Sequence, residues 1–305
     1  MYFYRTYGLV IASELVLPEL VVVPATDAPD VTIILGSVPE VLEGATYSDR
    51  YFQVAGNVCH IVAKGVARYR IEEGQRIVVD AEPGVADGDV RLYLLGSALG
   101  AVLHQRQCFP LHVSSVVTPN GVWAFTGASG AGKSTLAANL HYKFGWPLLS
   151  DDVGVILPNP SEPVVFHAGP QRLKLWQDTL EQLNISQDDL TPDLIRIKKF
   201  HIKLDTGFQQ QSKALRTLVL LERANPSESA SLIPVNGLDS FKVIMTAIYR
   251  PNFASHLNDS TGIFKVFSLL SRNVQVYRYR RPWNLSSIES SLEPLLGRIK
   301  VMTRV

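Results

Sequence analysis

Residues 122–135 read VWAFTGASGAGKST. An apolar run, VWAFT, enters a glycine-rich loop. STLAANLHYKF leaves it with helical composition and stops at Gly145, with Pro147 beyond. Gly127-x-x-x-x-Gly132-Lys133-Ser134 is the full phosphate-loop pattern, in the strand–loop–helix context that the pattern requires. Each residue type has a task. Gly127, Gly130 and Gly132 allow backbone conformations and a close approach that a β-carbon would block. The backbone of Gly127, Ala128, Ser129, Gly130, Ala131, Gly132, Lys133, Ser134 and Thr135 can then turn its amides onto a polyphosphate, backed by the helix N-terminus. Lys133 neutralises the β- and γ-phosphate oxygens, and the Ser134 hydroxyl is offered to Mg2+.

The loop alone does not separate a motor ATPase, a GTPase and a kinase; the acidic partner does. One candidate is LLSDD, whose Asp151 and Asp152 lie seventeen and eighteen residues past Ser134. A helix of about eleven residues carries the chain roughly 16 Å from the phosphates. A short strand brings it back by about 3.3 Å per residue. The pair is therefore expected on the same sheet edge as the loop, one carboxylate holding Mg2+ and the other accepting a proton from an attacking hydroxyl. The second candidate is Glu222, at the end of the apolar TLVLLER. No aspartate precedes it, no transport-ATPase signature occurs, and there is no Asn-Lys-x-Asp for guanine.

Working outward, LHVSSVVTPNGVWAFTG reads as two strands joined by a Pro-Asn-Gly turn. PLLSDDVGVIL reads as strand, acidic pair, strand. DVRLYLLGSALGAVLHQRQ follows Asp89, a candidate N-cap, and is apolar almost all round, as in a mostly buried helix. The first 85 or so residues are short β-branched and aromatic runs closed by turn residues, a packing or recognition module without catalytic features. In the second half, RLKLWQDTLEQLN reads as a helix with Trp176 in the core, and FHIKLD and RTLVLLER as strands. GLDSFKVIMTAIYR and NFASHLNDSTGIFKVFSLLSR read as helices, NVQVYRYR as a strand and NLSSIESSLEPLLGRIK as a terminal helix. The expected domains are 1–88, β-rich, and 89–305, catalytic.

Composition bounds the partners. A formal charge of +1 over 305 residues carries no basic excess for nucleic acid. The opening segment lacks the basic and apolar regions of a signal peptide, and no apolar stretch reaches the roughly 18–20 residues that span a bilayer. Cys59 and Cys108 could form one disulfide, but two thiols in so long a chain fit a reducing compartment better. The expectation is a cytoplasmic protein with no membrane partner.

The combination LHVSSVV…VWAFTGASGAGKST…LLSDDVGVI resembles the catalytic domain of the HPr kinase/phosphorylase family over roughly residues 108–157. The resemblance implies an α/β fold, a PEP-carboxykinase-like P-loop kinase domain, here preceded by a small β-rich domain. By position, His112 matches the family's strand histidine, Lys133 and Ser134 the phosphate lysine and magnesium hydroxyl, Asp151 the catalytic base and Asp152 the acidic group near the metal. Thr135 stands where the family has glutamate, and the family's Arg/Pro/Gly-rich phosphorylase segment is not evident. YRTYGLVIASELVLPEL, LHQRQCFPLHVSSV and KLDTGFQQQSKALRTLVLLER resemble a branch of such proteins encoded with lasso-peptide clusters. That likeness implies ATP- and Mg2+-dependent phosphorylation of a serine at the C-terminal end of a precursor peptide. The alternatives are a bifunctional kinase/phosphorylase acting on a carrier protein, and a nucleotide-gated peptide-binding module with slow ATPase activity. Assembly into a homo-oligomer stays open.

Lys198, Lys199, Lys203, Arg250, Arg278 and Arg280 are candidate partners for an acceptor carboxylate, with a solvated face as the alternative for the three lysines and a favourable helix-closing charge as the alternative for Arg250. His104, His141, His167, His201 and His256 show no metal-ligand spacing and are expected to be structural.

Overall fold

The computed structural model describes residues 1–157, 163–188, 190–193, 198–283 and 288–302. The fold is mixed α/β and divides into two compact units. The first comprises Met1–Pro110 and Tyr249–Lys265, the second Leu111–Ile248 and Val266–Val305.

The first unit is built on a nine-stranded sheet. Its strands alternate buried and half-exposed side chains, as in Ala67–Glu72, so one face is apolar and needs a cover. The segment Asp87–Gln105 supplies it: two α-helical stretches, Asp87–Tyr93 and Leu99–Gln105, joined by a π-helical turn, Leu94–Ala98. Leu94, Leu99, Val102 and Leu103 are almost completely buried. Polar bonds sew this segment to the sheet. The Tyr69 hydroxyl donates to the Val90 carbonyl at 2.8 Å. The Gln105 amide accepts from the Gly74 N–H at 2.8 Å and donates to the carbonyls of Asn57 at 2.9 Å and Ile71 at 3.3 Å. The compact unit therefore runs past the expected boundary at residue 88 and also takes in helix Pro251–Leu257, whose Phe253 stacks on Phe52. Asp89 is not the N-cap; Ala86 is, and Asp89 lies in the first turn, where its charge suits the helix dipole.

The second unit centres on a seven-stranded sheet. Gly121–Thr126, Lys213–Arg223 and Gln275–Arg281 run parallel in its middle. Ser114–Thr118 pairs antiparallel with Gly121–Thr126 and, on its other side, with Leu148–Ser150. Helix Lys133–Phe144 packs Leu136 and Leu140 into a core with Trp123, Phe125, Val219 and Tyr279. Full burial of side chains of this kind is worth about 1.5–3 kcal/mol each. The central strand is buried on both faces because helix and loop layers cover it, which explains its unbroken apolar run.

One expectation is overturned in a way that shapes the site. RLKLW is not helical: Arg172–Trp176 is a strand, and the helix is confined to Gln177–Gln182. The alternation of cationic and apolar residues has a period of two, which suits a strand. Leu173 and Leu175 enter the core, whereas Trp176, at the strand end, is 39% exposed with Lys199 over its ring. The C-terminal segment forms helices Ile288–Ser291 and Glu293–Met302; residues 284–287 of the expected helix lie outside the described residues.

Candidate functional site

The three parallel strands end at one edge of the sheet, where the glycine-rich loop begins. Gly127 has φ +142°, and a β-carbon there would lie 2.9 Å from the Leu221 carbonyl oxygen. Gly132, φ +83°, caps helix Lys133–Phe144 in a left-handed conformation. Both positions therefore require glycine. Lys133 is buried and folds back over the loop, donating through Nζ to the carbonyls of Gly127 at 2.8 Å and Ala128 at 3.2 Å. A polyphosphate would take over these donors. The Ala131 N–H is bonded to the Ala128 carbonyl at 3.0 Å. Ser129 and Gly130 form the loop's exposed tip. The Thr135 hydroxyl is buried against that of Thr179 at 3.1 Å, a packing contact that anchors the helix.

Leu148–Ser150 returns to the same edge and delivers the acidic pair, whose two members differ. Asp151 is 4% exposed. Its Oδ1 accepts from the hydroxyls of Ser134 at 2.7 Å and Ser114 at 2.5 Å, and its Oδ2 from the Lys174 backbone N–H at 2.9 Å. Asp152 adopts φ +82°, a left-handed conformation, and its carboxylate is half-exposed. Burial pushes the Asp152 carboxyl up, but Lys174, His112, Arg172 and Lys199 together outweigh it and hold the group below the usual carboxylate range. His112 Nδ1 lies 2.9 Å from the Asp152 carbonyl and 3.3 Å from its Oδ1. Burial, aided by Lys133, holds the imidazole below its ordinary value despite the two aspartates. It is therefore largely neutral near pH 7 and donates one N–H towards Asp152.

The surroundings of the two carboxylates differ from what the roles implied by the family resemblance would suggest. Asp151, expected as the base, is the one bonded to the Ser134 hydroxyl. Asp152, expected beside the metal, is the more accessible one and is paired with His112. Ser134 and Asp151 form a hard oxygen pair of the kind that, with phosphate oxygens, suits Mg2+. Among the described residues no cluster of three or more His, Cys, Asp and Glu side chains forms an all-protein metal cage, and Mg2+ beside a nucleotide needs none.

Strand Arg172–Trp176 adds two cations that sequence reasoning missed. Arg172 is 8% exposed, and the Lys174 side chain is nearly as buried, with Nζ 4.0 Å from Asp193. Burial, reinforced by Arg172, pushes the Lys174 ammonium down against the pull of Asp152, Asp193 and Asp151. Positions i and i+2 share a strand face, so the period-two pattern of RLKLW was the signal that could have found them. Ser114 was also missed, because nothing local to its strand marks it.

Most of the expected carboxylate partners are engaged elsewhere. Arg250 belongs to the first unit, where Nη2 donates to the Ser97 hydroxyl at 2.7 Å and the guanidinium covers Tyr249 and Phe253. Arg278 faces Glu222 at 3.7 Å, which also occupies the alternative acidic candidate. Arg280 pairs with Glu228 at 3.3 Å and Lys203 with Asp205 at 3.6 Å. Lys198 is exposed in a turn, and Lys199, over Trp176, is the one of the six whose charge reaches Asp152. Cys59 and Cys108 are both free and buried; burial pushes both thiols up, Cys108 to about 12. No helix among the described residues is long and apolar enough to cross a membrane.

No protein-family model and no curated protein sequence matches the chain. Among solved structures, it is similar to the Hpr(Ser) kinase/phosphatase from Coxiella burnetii, at 11% identity and a TM-score of 0.31 over 63% of this chain and 93% of that one. A likeness this distant carries no argument, and the functional reading rests on the geometry above.

Proposed function

We propose that the chain is an ATP-dependent kinase that transfers the γ-phosphate to a serine hydroxyl of a peptide or protein. The observation that carries this reading is the 2.7 Å bond from the Ser134 hydroxyl to Asp151, at the mouth of a complete phosphate loop. A second, more accessible carboxylate, Asp152, follows directly in the chain. Ser134 and Asp151 would hold Mg2+, which when bound neutralises the β- and γ-phosphate oxygens. The loop amides and Lys133 bind and orient the polyphosphate. Asp152 takes the proton as the acceptor serine oxygen bonds to the γ-phosphorus and the bond from that phosphorus to the β,γ-bridging oxygen breaks, releasing ADP. His112 holds the Asp152 backbone by donating from Nδ1 to its carbonyl, which positions the carboxylate.

The acceptor we favour is a serine at or near the C-terminus of a flexible peptide, such as a lasso-type precursor. Arg172, Lys174 and Lys199 beside Asp152 suit an acidic or carboxylate-bearing acceptor better than the other five cations expected from sequence. Mass spectrometry of such a precursor incubated with ATP and Mg2+ tests the assignment. The expected result is a gain of one phosphate that disappears when the terminal serine is replaced by alanine. Phosphate found only on a folded carrier protein would favour the bifunctional alternative. Free phosphate released with no labelled acceptor would favour the nucleotide-gated module.

A further inference from the structure

Arg281 ends strand Gln275–Arg281 at the same sheet edge as the loop, opposite Arg223 of the neighbouring strand. Its side chain reaches the glycine-rich loop: Nη2 lies 2.8 Å from the position that a β-carbon on Gly132 would occupy. Arg281 is only 4% exposed. Its Nε is buried with no hydrogen-bond partner, and among the described residues no carboxylate lies within ion-pair distance of its guanidinium. Arginine normally keeps its charge in a protein. A buried cation without a counter-ion is costly, and so is a buried N–H without an acceptor. Both costs are met if the counter-ion is a ligand. Gly132 caps the helix whose N-terminus favours an anion, and the bare glycine there leaves the guanidinium room to lie against the loop.

We propose that Arg281 is a second phosphate-binding cation of the loop, contacting the di- or triphosphate of a nucleotide beside Gly132. Lys133 supplies a point charge, and Arg281 supplies a planar fork suited to two phosphate oxygens. The proposal rests on the phosphate-loop part of the functional reading and is independent of the acceptor.

Calorimetric titration of the full chain with ADP and with AMP, for the wild type, R281M and R281K, tests it without any acceptor. Loss of a charge-assisted fork should weaken ADP binding about ten- to a hundred-fold in R281M. R281K, which keeps the charge but not the fork, should fall between R281M and the wild type. AMP binding should change less than ADP binding in both. Thermal unfolding without nucleotide should show R281M no less stable than the wild type, because an uncompensated buried charge has gone. Unchanged ADP affinity in R281M would overturn the proposal and leave the loop reading standing. If R281M does not fold, unchanged ADP affinity in R281K has the same force. Failure of the wild type to bind ADP would overturn the loop reading and this proposal together.

Discussion

Gln105 in the first unit and Asp151 in the second are both buried, and each is held by several hydrogen bonds. The partners differ. Those of Gln105 are backbone groups of Gly74, Asn57 and Ile71, with a long bond to the Cys59 Sγ at 3.9 Å, and they stitch a helix onto a sheet. Those of Asp151 are two hydroxyls and one N–H, with Lys133, Lys174, Arg172 and Asp152 nearby. Hydroxyls can rotate and exchange one partner for another, whereas backbone carbonyls in a sheet cannot. One buried polar cluster is therefore closed and serves stability. The other can be reorganised around a ligand, and it draws together ionisable groups whose burial has no purpose in folding alone. The contrast is not complete: His60, in the first sheet, is buried with neither ring nitrogen bonded, and nothing in the structure explains it.

Substitutions at the two clusters should break this comparison cleanly. The largest effect is expected for Asp151→Asn. The amide keeps the size of the carboxylate but loses the charge beside Ser134. Phosphoryl transfer should drop by about a thousand-fold or more, in line with the loss of charge stabilisation in a dry site. Steady-state rates over a Mg2+ titration should show a raised metal requirement; a wild-type Mg2+ profile would remove Asp151 from the metal side. Asp152→Asn should cost about a hundred- to ten-thousand-fold in kcat with little change in nucleotide affinity, because an amide cannot accept the proton. Single-turnover kinetics with bound ATP checks this, and a variant with normal kcat returns the base to Asp151. Lys133→Met should lower kcat/KM by about a hundred-fold, by removing one charged donor to the phosphates.

The smallest effect belongs to the closed cluster and should appear only in stability. Gln105→Ala leaves the Gly74 N–H without its acceptor, while the Asn57 carbonyl keeps its bond from the Glu73 N–H, and should cost about 1–3 kcal/mol, read as a lower unfolding midpoint in urea. Phosphoryl transfer per folded molecule should be unchanged. The same region carries a pH signature. Burial outweighs the bonds of His104 to the Tyr249 carbonyl and Asn258 and holds its imidazole below the ordinary 6.5. The unfolded chain then takes up its proton first as pH falls, so stability declines below about pH 6.5 and levels off once the folded-state value is passed. Denaturation midpoints between pH 7 and 5 should fall less steeply in His104→Asn.

The local geometry of the loop was legible in the chain itself. Gly127 and Gly132 occupy conformations open to glycine, Lys133 and Ser134 follow at fixed offsets, and the Pro-Asn-Gly turn sets the hairpin that feeds the loop. These features depend on backbone sterics and short-range spacing, which a sequence states directly. The strand Arg172–Trp176 was legible in principle, through its period of two, but the helical composition of the residues after it masked the signal. Other features depended on contacts between distant segments. Ser114 reaches Asp151 because their strands, distant in sequence, pair directly side by side, and Arg281 reaches Gly132 from a strand formed about 150 residues later in the chain. The left-handed conformation at Asp152 accompanies a buried Asp151 and a half-exposed Asp152, a difference invisible in the letters DD. Tertiary structure decided these because burial and charge depend on which segments pack together, and the sheet order settles that packing.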